Sequence, residues 1–305
     1  MIDNIILYFK NLPHLIGYCT QRIKQTWHWF VISFVIGLVF ILGLEGIFNL
    51  NHNTELVQVR WLFRVTALVV FGLIVFSIYL GYKYYRKDYM VMKSFHISAV
   101  TPLIVIALMT LVTMLVLGLI IAFLKPVNFD TSIFAFIYYS VMASIFIVIA
   151  AVMCGLLQFI VKRFHLLYLI ASAICFFIVP ILFIPKAHST IIEHILMLNP
   201  VYYLVNGSAE SVVFGAVSMN NIPYHIYFIF LLAIMCVINY ALVRHIAFDK
   251  YDSQVTLGDN DTSKAIEHED EDKKKDEHIT GENGRHDGSV KGHTARNVND
   301  NDGNL

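Results

Sequence analysis

No GxxxxGK(S/T) phosphate loop occurs anywhere in the chain, so it does not bind ATP in the usual way. An HExxH zinc helix and a GxSxG nucleophile elbow are missing too, and with them the commonest hydrolase signatures. Charge is scarce: 14% of 305 residues are charged, and few ionisable groups fall inside the apolar stretches. A proton- or ion-coupled carrier needs buried charges along its path, and this chain offers almost none. Cysteine is confined to Cys19, Cys154, Cys175 and Cys236, without a CxxC pair or a metal-ligand spacing. They read as core fillers, and no metal, cofactor or nucleic-acid partner is expected. A secretory signal peptide is not expected either. Polar and amphipathic residues 1–26 precede the first apolar run, and no small-residue cleavage pattern follows it.

What the chain has in abundance is apolar surface. Hydrophobic residues make up 57% of it, far above soluble averages, and they come in long runs. Six are membrane-length candidates: Phe30–Leu44, Val65–Tyr82, Pro102–Leu124, Ile133–Ile160, Leu166–Ile184 and Tyr224–Val243. The first is short unless Trp27 and Ile47-Phe48 extend it into the interfaces. The expected fold is all-α: a polytopic membrane protein with six transmembrane helices over residues 27–251.

A net charge of zero hides a division. From Asp252 onward there are seven Lys/Arg and fourteen Asp/Glu, leaving fifteen Lys/Arg and eight Asp/Glu upstream. Eleven of the upstream cations (Lys10, Arg22 and Lys24; Lys83, Arg86, Lys87 and Lys93; Lys162 and Arg163; Arg244 and Lys250) fall on one side of the six runs. Only Arg60, Arg64, Lys125 and Lys186 fall on the other. The positive-inside rule then puts both termini in the cytoplasm and a hairpin near 185–222 outside. Residues 252–305 are hydrophilic and nearly free of aromatics, a composition that predicts a disordered tail. The acidic run His268-Glu269-Asp270-Glu271-Asp272 within it reads as solvated charge rather than a metal site.

Three shorter segments carry more detail. Ile5, Ile6, Phe9 and Leu12 share one face of a predicted N-terminal interfacial helix that Pro13 should break. A simple membrane-entry helix fits the same residues. Between the second and third runs, Tyr85, Tyr89 and Met92 repeat at helical spacing, with Arg86 and Lys87 on other faces. An aromatic face with cationic flanks can dock into a cleft on a soluble partner, while ordinary positive-inside charge with incidental tyrosines is the plainer alternative. Between the fifth and sixth runs, Thr190-Ile191-Ile192-Glu193 reads as a capping box and Asn199-Pro200 as an N-cap with proline at the first helical position. Gly215 is placed to end the second helix. Two short capped helices of this kind predict a re-entrant or interfacial hairpin. Aromatic residues Phe176, Phe177 and Phe183, with Tyr202 and Tyr203 beyond them, either pack ordinarily or form a track on which sugar rings could slide. Asn206-Gly207-Ser208 is formally a glycosylation sequon.

The order PILxxPK from Pro180, a short amphipathic helix, and then LNPVYYLVNG from Leu198 resembles the end of the permease subunit of polysaccharide and teichoic-acid exporters, within the type-two ABC exporter family. The similarity is best from Phe164 to Asp252. Upstream, Lys93-Ser94-Phe95-His96 followed by Pro102 echoes the family's Lys-x-x-Phe-Pro stretch, with His96 where that proline stands. Val161-Lys162-Arg163-Phe164-His165 replaces the family's usual Arg-Asp loop. The resemblance implies a bacterial cell-membrane permease without its own ATPase, working as a homodimer with a separate ATP-binding subunit. It further implies a polyanionic or glycan polymer as substrate, moved past membrane lipids. Tyr85, Arg86, Lys87, Tyr89 and Met92 would then form the ATPase-coupling helix. Phe176, Phe177, Phe183, Asn199, Pro200, Tyr202 and Tyr203 would line the path or its exit. A drug or small-lipid exporter, a membrane enzyme acting on lipid-linked intermediates, and a non-transporting scaffold or sensor are the competing readings.

Overall fold

The computed structural model describes residues 2–51, 54–94, 99–126, 129–182 and 190–246. Phe95, His96, Phe183 and the tail from Asp252 lie outside the described residues. Everything regular among the described residues is helical. In chain order the elements are α1 (Ile2–Asn51), α2 (Glu55–Ser94), α3 (Thr101–Leu124), α4 (Ile133–Ile160), α5 (Phe164–Ile178), α6 (Thr190–Met197) and α7 (Pro200–Val213). A 3-10 turn over Gly215–Asn220 leads to α8 (Ile222–Ile246).

Among the described residues five helical stretches are long and apolar enough to cross a membrane: Pro13–Phe48 in α1, Glu55–Tyr89 in α2, then α3, α4 and α8. Among the described residues the fifth apolar run does not form a sixth helix of that length. Its helix α5 has 15 residues, short of the roughly 20 that a bilayer crossing needs. The physical reason is Pro180. A residue before proline is driven out of the helical region, and Val179 sits at φ −70°, ψ 148°, with its amide still bonded to the Cys175 carbonyl.

A second departure is at the N-terminus. Instead of an interfacial helix ending at Pro13, α1 runs for 50 residues with Pro13 inside it. Loss of one amide donor costs about 3 kcal/mol but is confined to one turn. The turns that follow are pinned laterally, because the Tyr18 hydroxyl donates to Asp88 of α2 at 2.6 Å. Likewise the segment from Lys83 to Lys93 is no loop. It is the last three turns of α2, a 40-residue helix.

Packing runs α1 on α3, α3 on α4, α4 on α2, and α7 inserted against both α2 and α4. Polar side chains stitch these contacts. Ser77 of α2 meets Thr110 of α3 at 2.6 Å, and Asn239 of α8 donates to the Ile149 carbonyl of α4 at 3.0 Å. Such bonds hold helices together where apolar burial gives no net drive between lipid and protein. The outer faces of α1, α5 and α8 stay apolar and uncovered, with Val39, Phe40, Leu169, Ile174, Phe230 and Val237 all more than half exposed. Surface of that extent is tenable in lipid, not in water.

Candidate functional site

The centre of the bundle is α7, the second helix of the predicted re-entrant or interfacial hairpin. Its caps are as the sequence predicts. The Asn199 side chain accepts from the Val201 amide at 3.0 Å, Pro200 holds the first position, and Gly215 adopts φ +80° just past the end. Its environment is the protein interior. Tyr202 through Ala209 and Ser211 through Val213 are all buried. Gly207 permits this, because a Cβ there would lie 2.1 Å from the Tyr139 ring of α4. Asn206 and Ser208 of the formal sequon are buried within the bundle.

Around α7 the polar groups close on one another. The Tyr139 hydroxyl donates to the Ser218 carbonyl at 2.8 Å, and the Ser211 and Ser218 hydroxyls meet at 2.9 Å. Tyr203 bonds His225 Nδ1 of α8, and the two residues also pack ring against ring. The Thr131 hydroxyl donates to the Val212 carbonyl at 2.9 Å, and the Ser132 amide to the Ser211 carbonyl at 3.0 Å. The entry of α4, all of α7, the 3-10 turn and the start of α8 are thereby one body. Most of these bonds end on main-chain carbonyls, so the network serves to hold the hairpin rather than to present a nucleophile. At the same end of the bundle, burial lowers the ammonium pKa of Lys125, opposed by Asp130.

The described path residues fall in different settings. Tyr202 and Tyr203 belong to the core of this body. Phe176 of α5 is half-buried against Phe71 of α2, at 5.9 Å between rings, while Phe177 points outward and is 64% exposed. A continuous aromatic track is therefore not formed by these four.

The opposite end holds the expected coupling face, and here the structure corrects the sequence reading. Tyr85 and Met92 are each only 2% exposed, inside a cluster with Leu15, Phe30, Leu103, Leu156 and Ile246. Tyr85 lies on Gly155 of α4, whose added Cβ would come 2.4 Å from the ring, and Tyr89 packs against Phe159. This face docks inside the chain. Helical spacing looks the same whether the partner is a foreign groove or the chain's own α4. Arg86 and Lys87 do face outward, Arg86 over the Phe159 ring at 5.7 Å.

Beside them lies a group that sequence reasoning missed. Arg22 of α1 and Asp88 of α2 form an ion pair, 3% and 0% exposed. Tyr18 donates to the same carboxylate oxygen, and the Arg22 guanidinium stands 4.5 Å from the Tyr84 ring centroid. Its one sequence signal was a lone acid within the basic run from Lys83 to Lys93. A third cluster joins α2 to α5: the Tyr82 hydroxyl lies 3.0 Å from His165 Nδ1, and Tyr168 donates to the Val75 carbonyl at 2.6 Å.

Helices and clusters together define an all-α membrane protein with several spanning helices around a buried short one. In comparison with known proteins, no family model matches the chain and no curated protein is significantly similar to it. The exporter resemblance stands on the residues quoted for it.

Proposed function

We propose that this chain is the membrane-spanning permease subunit of an ATP-driven exporter, working as a pair with ATPase subunits on separate chains. The observation that carries the reading is α7. The LNPVYYLVNG stretch behind the resemblance forms a capped 14-residue helix, too short to cross, lodged between two long spans. A buried half-length helix of this kind is tolerated at membrane depth where it meets protein rather than lipid.

Six crossings fit this reading better than five. α4 and α8 both finish at the end where Tyr85, Leu156 and Ile246 cluster, so the chain must return between them. α5 begins against Tyr82 and climbs α2 through Val75 and Phe71. After the turn at Pro180, Ile181 and Leu182 reach the level of Arg64. From Tyr82 to Arg64 is about 27 Å of helix, close to the ~30 Å hydrocarbon thickness. A short helix and the turn that follows it thus cover a membrane's depth.

Exposed cations crowd the Tyr85 end: Lys24, Lys83, Arg86, Lys87, Lys162, Arg163 and Arg244. They support a cytoplasmic assignment for that end and a docking surface for an acidic-rimmed ATPase. With Tyr85 and Met92 occupied internally, the coupling surface is Lys83, Arg86 and Lys87. A lipid-linked cell-wall polymer such as teichoic acid or polysaccharide is the substrate the resemblance implies. Moving an unpaired phosphate-sized charge into low dielectric costs on the order of 20 kcal/mol in the idealised limit, which is why such cargo needs a lined, ATP-driven path.

The test has two arms. Purification of the full chain from its native membrane in mild detergent should bring down an ATP-hydrolysing partner. Changing Lys83, Arg86 and Lys87 together to Glu should cut that recovery at least tenfold at matched permease levels. In a background lacking the four cysteines, an impermeant thiol reagent on intact cells should label Asn220→Cys and spare Lys87→Cys. Absence of any ATPase, or the reverse labelling, would remove the exporter reading.

A further inference from the structure

An open groove runs along the seam between α1 and α2. Its wider part, 620 Å³, is bounded by Phe40, Gly43 and Ile47 of α1 and by Trp61, Arg64 and Leu68 of α2. A second cavity of 320 Å³ begins at the same Phe40 and Leu68 and continues inward past Gly72 to Ser33. Ile47 and Ser33 of α1 mark the two ends of the lining, a span of about 20 Å at helical rise. One leaflet of hydrocarbon is about 15 Å deep. Gly43 and Gly72 create the depth, since a Cβ on either would meet nothing within 4 Å.

The groove is apolar except for Ser33 at its inner end and Arg64, its one charged residue, at the other. Its Nε is buried without a hydrogen-bond partner, and its guanidinium lies 5.2 Å from the Trp61 ring centroid. Among the described residues no carboxylate pairs with it. Glu45 of α1, at the same end, accepts from Gln58 instead at 3.2 Å. The groove is long, open along its side and lined mainly by aliphatic and aromatic side chains. An extended hydrocarbon chain fits it.

We propose that this groove binds an anionic phospholipid of the surrounding bilayer, one acyl chain lying over Gly43 and Gly72 and the phosphate pairing with Arg64. Arginine is suited to this because its fork meets phosphate oxygens in two bonds at once. Trp61 beside it is the kind of residue that settles at headgroup level. The site rests on the chain being a membrane protein and is independent of what the protein transports.

Native mass spectrometry of the full-length chain, exchanged into mixed micelles, reads it directly. Phosphatidylglycerol should be retained about tenfold over phosphatidylcholine with the same acyl chains, the margin of one charge-assisted contact. Arg64→Gln should bring the two lipids to parity, whereas Arg60→Gln, one turn away and exposed, should leave the preference intact. Gly43→Leu with Gly72→Leu should release both lipids. In the unmodified protein, phosphatidylglycerol bearing an acyl-chain diazirine should crosslink to the α1–α2 seam, which keeps the test alive if a variant fails to fold. Equal retention of the two lipids, a preference that survives Arg64→Gln, or crosslinks confined to other helices would overturn the proposal. So would displacement of the lipid by inorganic phosphate alone, or a disulfide between two copies through Gly43→Cys that shows a second chain seated there.

Discussion

α5 and α7 are almost the same length, 15 and 14 residues, and their fates are opposite. α5 is the more apolar helix, yet only Phe164 of it is buried. α7 carries Asn206, Gly207, Ser208 and Ser211, and it occupies the middle of the bundle. In a soluble protein the assignment would be reversed. Within a membrane, lipid tails and protein interior are equally apolar, so hydrophobicity does not choose which face turns inward. Small residues that allow close approach, and hydroxyls and amides with partners on neighbouring helices, make the choice.

That contrast can be broken at several positions. The largest effect is expected at the other buried polar contact, Arg22–Asp88. Asp88→Ala leaves an unpaired buried cation and should destabilise the fold by about 3–5 kcal/mol. Arg22→Met with Asp88→Leu should recover most of that loss. Thermal unfolding in detergent measures both, and an Asp88→Ala protein as stable as its parent would show the pair to be idle.

Next comes Gly207→Leu, which drives a side chain into the Tyr139 ring. An overpacked site costs about 1–3 kcal/mol, and this ring is held by its hydroxyl bond to Ser218. Ala173→Leu, on the exposed side of α5, should change stability by no more than about 0.5 kcal/mol. Equal tolerance at the two sites, read as monodisperse yield and melting temperature, would erase the distinction between the helices.

The smallest effect sharpens the comparison. Asn199→Ala removes the cap of α7 and should cost about 1 kcal/mol, seen as a lowered melting temperature with the helix content unchanged. Phe177→Ala on α5 removes a much larger side chain, but a lipid-facing one, and should cost less than the cap.

Much of this was readable beforehand. Asn199, Pro200 and Gly215 mark the ends of α7 because caps act within one turn. Pro180 already lay inside the fifth apolar run, and its effect on Val179 is equally local. The inward turn of Tyr85 was not readable, since its partner Gly155 is far along the chain and periodicity carries no address. Nor was the Arg22–Asp88 pair, whose members stand 66 residues apart.

By itself the sequence determined that this protein belongs in a membrane, where α7 begins and ends, and which end of the bundle is basic. Each of those is a property of consecutive residues: the length of an apolar run against a bilayer's thickness, a cap, a charge count. Only the tertiary structure decided that α7 lies inside and α5 outside, that the tyrosine face of α2 is already occupied, and that α1 and α2 part to leave a groove beneath Arg64. Those outcomes depend on which helices meet. Where solvent and core are equally apolar, that meeting is selected by shape and hydrogen bonding between distant residues, not by hydropathy.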